Sequence, residues 1–183
     1  MNLHTSVSSL DTVITNVGGD VGAQSVAAGN TLDVTTMNDT QVNTNQYTSS
    51  VDVSSYLGAR ITDIGGNVGV QNQAVCNSAS VSTDPTVTAI TNVQQCDAVD
   101  PTAKAYVDSW DIGGSFSLAN TAVGNTFEAD SNASSMPVDN LQINHSGVTA
   151  KTTANVSNVA GTVSVTSAAI GNNAQIVHYS TTQ

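Results

Sequence analysis

The sequence predicts an all-β protein, a β-solenoid of the parallel β-helix kind, and three observations support this prediction. A sequence marker recurs about every 47 residues along the 183-residue chain. Apolar residues alternate with polar residues on both sides of the marker, as they do in half-buried strands. Val and Thr are abundant whereas Leu, Glu, Lys and Arg are scarce, which favours strands over helices.

The marker is a pair of small residues followed, after a fixed interval, by an asparagine. The second glycine of the pair and the asparagine both recur at steps of 47, 48 and 47 residues. The glycines are Gly19, Gly66, Gly114 and Gly161, and the asparagines are Asn30, Asn77, Asn125 and Asn172. Their constant phase indicates about four repeats in a single domain, 1–183, with markers at 18–30, 65–77, 113–125 and 160–172.

Between the two markers, apolar residues occupy the same alternate positions in every copy. Two such columns are predicted to face the core: Val21, Val68, Phe116 and Val163, and Ala27, Ala74, Ala122 and Ala169. A single repeat has too narrow an apolar face to fold alone, so stacked copies must bury these columns together. A β-sandwich is the alternative fold, but it would not require so constant a repeat length.

Each repeat is expected to contain a strand, a tight turn at Gly-Asn and a second strand, because glycine and asparagine tolerate a positive φ. The asparagines are expected to form a hydrogen-bonded ladder along the stack, and a simple turn role is the alternative. A 47-residue repeat suggests two coils of about 23 residues or three of about 16. The rest of the repeat, for example 46–60, aligns less well, and extra residues at 97–103 and 131–138 predict loops.

Cys76 and Cys96 are the only cysteines, and they bracket one of the less regular segments. In a chain whose composition is typical of extracellular proteins, this arrangement predicts a disulfide. Closing a loop of that size would contribute about 3 kcal/mol to stability. Two unpaired buried thiols are the alternative.

The composition excludes several classes of function. Only 9% of residues are charged and the net charge is −11, with Arg60, Lys104 and Lys151 as the only basic residues. We therefore expect no nucleic-acid partner, and the chain has no apolar run that could span a membrane. The histidines share no repeat phase and the known nucleophile and phosphate-loop motifs are missing, so we expect no enzyme activity, no catalytic residues and no cofactor. Asp20 is replaced by uncharged residues in the other copies, so we expect no repeated metal site.

The Ala-Ala-Gly-Asn, Ala-Val-Gly-Asn and Ala-Ile-Gly-Asn segments, each followed by strands rich in Val, Thr, Asn and Gln, resemble holdfast-anchor proteins of stalked alphaproteobacteria. The regularly placed Gln24, Asn30, Gln41, Asn43 and Gln46 are more distantly similar to curlin-type fibre subunits. The resemblance covers nearly the whole chain. It implies an exported adhesive or anchoring protein, fibrous and without catalytic residues.

The expected function is therefore that of an extracellular or bacterial cell-surface fibre or anchor subunit that self-assembles through stacked β-strands. The alternative is a phage or surface spike segment that binds glycans. The expected partner is a second copy added head to tail, because 172–183 repeats the phase of 30–41 and Met1 resumes it after about six residues. A surface polysaccharide is a further candidate partner.

Overall fold

The computed structural model describes residues 4–84 and 88–179, and within these residues it consists of β-strands and connections without a helix. The strands are β1 (Ser6–Val17), β2 (Val21–Thr36), β3 (Thr40–Ile64), β4 (Val68–Thr83), β5 (Thr88–Ile112), β6 (Phe116–Ser131), β7 (Val138–Asn144), β8 (Thr149–Val159) and β9 (Val163–His178). The abundance of β-branched Val and Thr suits these long strands. The all-β prediction is confirmed.

The strands form two stacked parallel sheets. Sheet A has the order β1-β3-β5-β7, with β8 also paired to β5, and sheet B has the order β2-β4-β6-β9. The chain alternates between the sheets, so strands that pair are one repeat apart, as in the series Val21, Val68, Phe116 and Val163. Each repeat thus makes one circuit through both sheets. The expectation of two or three coils per repeat is wrong, because strands of 16 and 25 residues fill the repeat length.

The Gly-Asn positions lie inside continuous strands, which corrects the expected strand-turn-strand unit. Gly29 and Asn30 lie in the middle of β2, and 76–77, 124–125 and 171–172 lie inside β4, β6 and β9. The alternation of buried side chains changes phase there, since Ala27 faces the interior and so does Asn30, three residues later. No residue at these positions is among the positive-φ residues of the described chain. The strand continues past these positions without reversing, since the residues before and after Gly29 all pair with β4 of the next repeat.

The chain passes from sheet A to sheet B at bends formed by the small-residue pairs 18–19, 65–66, 113–114 and 160–161. Adjacent bends approach closely, since a Cβ on Gly66 would lie 2.7 Å from the carbonyl carbon of Gly19. Four of the five left-handed residues of the described chain occur just before these bends, at Asn16, Asp63, Asp111 and Asn158, with φ of 61°, 57°, 59° and 51°. The fifth, Asp100, lies inside β5. Asn and Asp tolerate this conformation better than other L-residues.

The two predicted loops have different outcomes. Residues 132–137 connect β6 to β7 as a loop, so the loop expected at 131–138 is present except for its first and last residues, which belong to the strands. Residues 97–103 lie within β5, where the extra length appears as a register irregularity against β3 between Ser49 and Ser54. The extra residues at 97–103 therefore form part of the sheet and not a loop.

The interior contains two larger apolar clusters near opposite ends of the strands. One, near the bends, includes Leu57, Ile61, Val68, Phe116 and Leu118, and the other includes Val42, Val81, Ile90 and Phe127. Val68 and Phe116 are 2% and 1% exposed, but Val163, in the same predicted core column, is 51% exposed. Ala27, Ala74 and Ala122 are buried, whereas Ala169 is exposed. Val163 and Ala169 pair in register with Phe116 and Ala122, but the burial predicted for β9 is not found. The end strand β2 is covered by two strands of sheet A, since Ser25 bonds Ser8 of β1 and Ser55 of β3, whereas the described part of sheet A has no strand beyond β7 and β8 to cover β9.

Candidate functional site: internal polar ladders and strand β9

The marker asparagines form a continuous ladder of side-chain hydrogen bonds inside sheet B. Asn30 Nδ2 donates to Asn77 Oδ1 at 2.7 Å, and Asn77 Nδ2 donates to Asn125 Oδ1 at 2.8 Å. Asn125 Nδ2 donates in turn to Asn172 Oδ1 at 2.8 Å. All three bonds run in the same direction, from β2 towards β9. The register of the parallel strands places these side chains one above the other.

The same ladder ties sheet B to sheet A. Asn77 Nδ2 also donates to the Gln95 carbonyl at 2.9 Å, and Thr48 Oγ1 donates to Asn77 Oδ1 at 2.8 Å. Asn125 Nδ2 donates in the same way to the Ile143 carbonyl at 2.8 Å. Asn77 and Asn125 are fully buried, so these partners offset the cost of removing their amides from water.

A second asparagine ladder lies nearer the bends. Asn72 Nδ2 donates to Asn120 Oδ1 at 2.8 Å, and Ser55 Oγ donates to Asn72 Oδ1 at 2.6 Å. Both asparagines also donate to carbonyls of sheet A, those of Lys104 and Lys151, at 3.0 Å in each case. This ladder links the two sheets beside the larger apolar cluster.

Sheet A contributes a glutamine ladder of opposite direction. Gln142 Nε2 donates to Gln94 Oε1 at 2.8 Å, and Gln94 Nε2 donates to Gln46 Oε1 at 2.7 Å. Gln94 is fully buried and also donates to the Thr126 carbonyl of sheet B at 2.9 Å. Nearby, Asn92 Nδ2 donates to Asn140 Oδ1 at 2.7 Å. Sequence reasoning named Gln46 only for its similarity to curlin-type subunits and missed the column, although Gln46, Gln94 and Gln142 recur at steps of 48 residues.

A disulfide joins the two sheets in the middle of the stack. The structure bonds Cys76 of β4 to Cys96 of β5, with a Cα–Cα distance of 6.0 Å. Both sulfur-bearing side chains are fully buried in a small cluster with Ala27, Val53 and Ala98. A loop of 20 residues is closed, which in the chain-entropy account contributes about 3 kcal/mol.

Strand β9 ends the described part of sheet B, and its core-side residues are uncovered. Val163, Val165 and Ile176 are 51%, 46% and 49% exposed, whereas Leu118, the partner of Val165 in β6, is 2% exposed. A strand edge of this kind offers unpaired backbone groups together with apolar side chains. It is a candidate surface for the addition of another strand.

One histidine–carboxylate contact lies outside the ladders. His145 Nδ1 and Asp97 Oδ1 are 2.8 Å apart. Burial raises the pKa of the Asp97 carboxyl, but hydrogen bonds from His145, Gln95 and Tyr47 outweigh it and hold this pKa below its ordinary value. No group of three or more His, Cys, Asp or Glu side chains able to hold a metal ion occurs in 4–84 and 88–179. No helix long and apolar enough to cross a membrane occurs in those residues.

These features define a class, that of all-β repeat proteins whose stacked parallel strands are joined by internal amide ladders. The chain belongs to the holdfast attachment protein D family, whose family model matches residues 5–183. It is thus an adhesion component of the cell surface, and the predicted extracellular location and holdfast resemblance are confirmed. The comparison with curated proteins found no match, and neither did the comparison with solved structures. The curlin-type similarity stays a prediction.

Proposed function

We propose that the chain is a non-catalytic anchor subunit, a β-solenoid rod that lengthens when a second copy stacks its strands on β9. The observation that supports this proposal most directly is the exposure of Val163, Val165 and Ile176, whose columns are buried in the middle of the stack. Stacked strands would give a surface attachment protein a rod whose length grows with the number of copies.

Strand β2 of a second copy matches the surface that β9 presents. The two strands have equivalent positions in the repeat, so a parallel pairing would place Val21 of the second copy beside Val163 and Ala23 beside Val165. Asn172 would then donate to Asn30 of that copy and extend the ladder in its existing direction. Full burial of the three aliphatic side chains would contribute on the order of 3 kcal/mol, before the cost of association.

Such a contact joins two different surfaces, the β9 edge of one copy and the β2 edge of the next. A contact of this heterologous kind leaves one of each surface free, so it produces open-ended filaments instead of closed rings. The sequence argument for head-to-tail addition also used residues 180–183 and Met1, which lie outside the described residues. The proposal therefore depends on β2 and β9 alone.

The substitution Val165→Asp tests the proposal. In a single copy the new carboxylate remains in water, because Val165 is 46% exposed, whereas in a filament it would be buried as Leu118 is. We expect the parent protein to form filaments in negative-stain images and to scatter light increasingly with concentration. The variant should keep the circular dichroism of the parent and remain a monomer.

A matched control adds the same charge one residue away. The side chain of Thr166 lies on the outer face of sheet B, so Thr166→Asp should form filaments as the parent does. A parent protein that stays monomeric at high concentration would contradict the proposal. So would equal filament formation by Val165→Asp and the parent.

A further inference from the structure

The outer face of sheet A concentrates the few basic and aromatic residues of the chain. Its second half contains a patch, called here the outer patch, formed by Tyr56, Arg60, Lys104, Tyr106, Trp110 and Lys151. These residues include all three basic residues, the single tryptophan and two of the four tyrosines of the sequence. On a chain of net charge −11 with 4% aromatic residues, such a concentration on one face points to a binding surface.

The register of the parallel strands brings these residues together. Tyr56 pairs with Lys104, and Lys104 pairs with Lys151, so one row runs across three adjacent strands. In the other rows, Arg60 pairs with Asp108 and Thr62 pairs with Trp110. The patch therefore lies on β3, β5 and β8, which the hydrogen bonding of the sheet holds in place.

The aromatic rings are presented with part of their surface open. Tyr56 and Tyr106 are each 38% exposed, and their ring centroids are 5.8 Å apart at an interplanar angle of 41°. The Arg60 guanidinium carbon lies 4.8 Å from the centroid of the Trp110 ring. This cation–π contact orders both side chains before any ligand arrives, which reduces the entropic cost of binding.

Hydrogen-bonding groups lie between the rings. Asn155 Nδ2 donates to Asp108 Oδ1 at 2.8 Å, and both side chains are exposed on the same face. Gly58 carries no side chain, and its ideal Cβ position lies 3.1 Å from Asp11 Oδ1 and 3.3 Å from the Tyr56 hydroxyl. The Tyr56 side chain therefore reaches along its strand over Gly58, close to an acidic acceptor.

We propose that the outer patch binds an anionic glycan, a sugar chain that carries carboxylates at intervals along a hydroxyl-rich backbone. The tyrosine and tryptophan rings would pack against the C–H faces of sugar rings. Arg60, Lys104 and Lys151 would pair with the carboxylates, and Asp108 and Asn155 would bond hydroxyl groups.

Other occupants match the patch less well. A nucleic acid also stacks on aromatic rings, but its backbone offers few hydroxyl groups for Asp108 and Asn155 to bond, and only three cations are present for its phosphates. A protein interface has a dry apolar centre depleted of charge, whereas this patch mixes charged groups with the rings. The exposed aliphatic residues Val7 and Val13 lie beside the patch on strand β1 and not at its centre. Spaced carboxylates with hydroxyls between them suit the arrangement best.

The single tryptophan of the chain supplies the measurement, because Trp110 lies in the patch. Its fluorescence would be titrated with an oligogalacturonate, which is a pure uronate chain, and separately with a neutral dextran oligosaccharide and a single-stranded oligonucleotide. The protein concentration is kept below that at which light scattering detects association. We expect a saturable change with the uronate, weakened by salt, and at least tenfold weaker binding of the other two ligands.

Variants assign the binding to the patch. Tyr106→Ala should weaken uronate binding about tenfold or more, as loss of an aromatic anchor does. Lys104→Gln should weaken it about threefold, because one cation at an exposed site contributes modestly. Thr166→Asp changes the net charge by the same amount on the opposite sheet, and it should bind as the parent does.

Four results would overturn the proposal. These are the absence of a saturable signal with the uronate, equal binding of dextran or oligonucleotide, and equal weakening by Thr166→Asp and Lys104→Gln. The fourth is a fluorescence change that follows protein concentration alone and is lost in Tyr106→Ala, which would assign the patch to a second copy of this chain.

Discussion

Strands β4 and β9 belong to the same sheet and carry corresponding sequences, yet they differ sharply in burial. Val68 of β4 is 2% exposed and Val163 of β9 is 51% exposed. Asn77 is fully buried and bonded on both sides in its ladder, whereas Asn172 is the last described member. The difference shows that burial in this fold is set by neighbouring repeats. An identical column position is core in one strand and surface in another.

The largest expected effect comes from a charge in the middle of a core column. Val68→Asp would bury a carboxylate without a partner and should destabilise the fold by about 4 kcal/mol or more. Val163→Asp, in the same column, leaves its carboxylate in water and should cost less than about 1 kcal/mol. Thermal denaturation followed by circular dichroism at low protein concentration measures both. Equal losses would mean that the column assignment is wrong.

An intermediate effect is expected from the asparagine ladder. Asn77→Ala removes the acceptor of Asn30 and Thr48 and the donor to the Gln95 carbonyl, at a fully buried position. Leaving such groups without a partner should cost about 3 kcal/mol. Asn172→Ala, at the exposed end of the ladder, should cost less than about 1 kcal/mol. Urea denaturation of the two variants gives the comparison, and a loss in Asn77→Ala no larger than in Asn172→Ala would refute it.

The smallest effect is expected from Asp97. Its folded-state pKa is lowered, so the carboxylate stabilises the fold above the unfolded-state pKa, and this stabilisation is lost as pH falls through the folded-state pKa. Asp97→Asn should therefore have a lower melting temperature than the parent at pH 7. Its free energy of unfolding should fall by less than about 1 kcal/mol, as for other surface pairs. At pH 2 the two proteins should melt alike. A difference in melting that persists unchanged at pH 2 would exclude this cause.

The all-β class and the position of the asparagine column could be read from the sequence, whereas the path of the chain could not. The regular spacing that includes Asn30 and Asn77 indicates that they occupy equivalent positions in successive repeats, and stacking of the repeats then places them side by side. The spacing does not state how many times the chain crosses between sheets within one period. That number depends on where the chain bends, and Gly29 resembles a turn residue as much as Gly19 does.

Two further features were hidden for physical reasons. At Gly29 the alternation of inward residues shifts by one position, so an uninterrupted period of two predicts the wrong face beyond it. The glutamine ladder lies in the half of the repeat where the register irregularity near Ser49 obscures the alignment. Gln46, Gln94 and Gln142 kept their spacing all the same, and a column-by-column search of that half would have found them.

The disulfide has a consequence under mechanical load. An anchor is pulled, and a chain wound through two sheets can unravel turn by turn from either end. The bond between Cys76 and Cys96 keeps a 20-residue segment from extending, so about 65–70 Å of contour length stays out of reach of the pulling force. While the disulfide is intact, the fully extended chain is shorter by that length. The middle of the stack is thus covalently cross-linked, and neither end is.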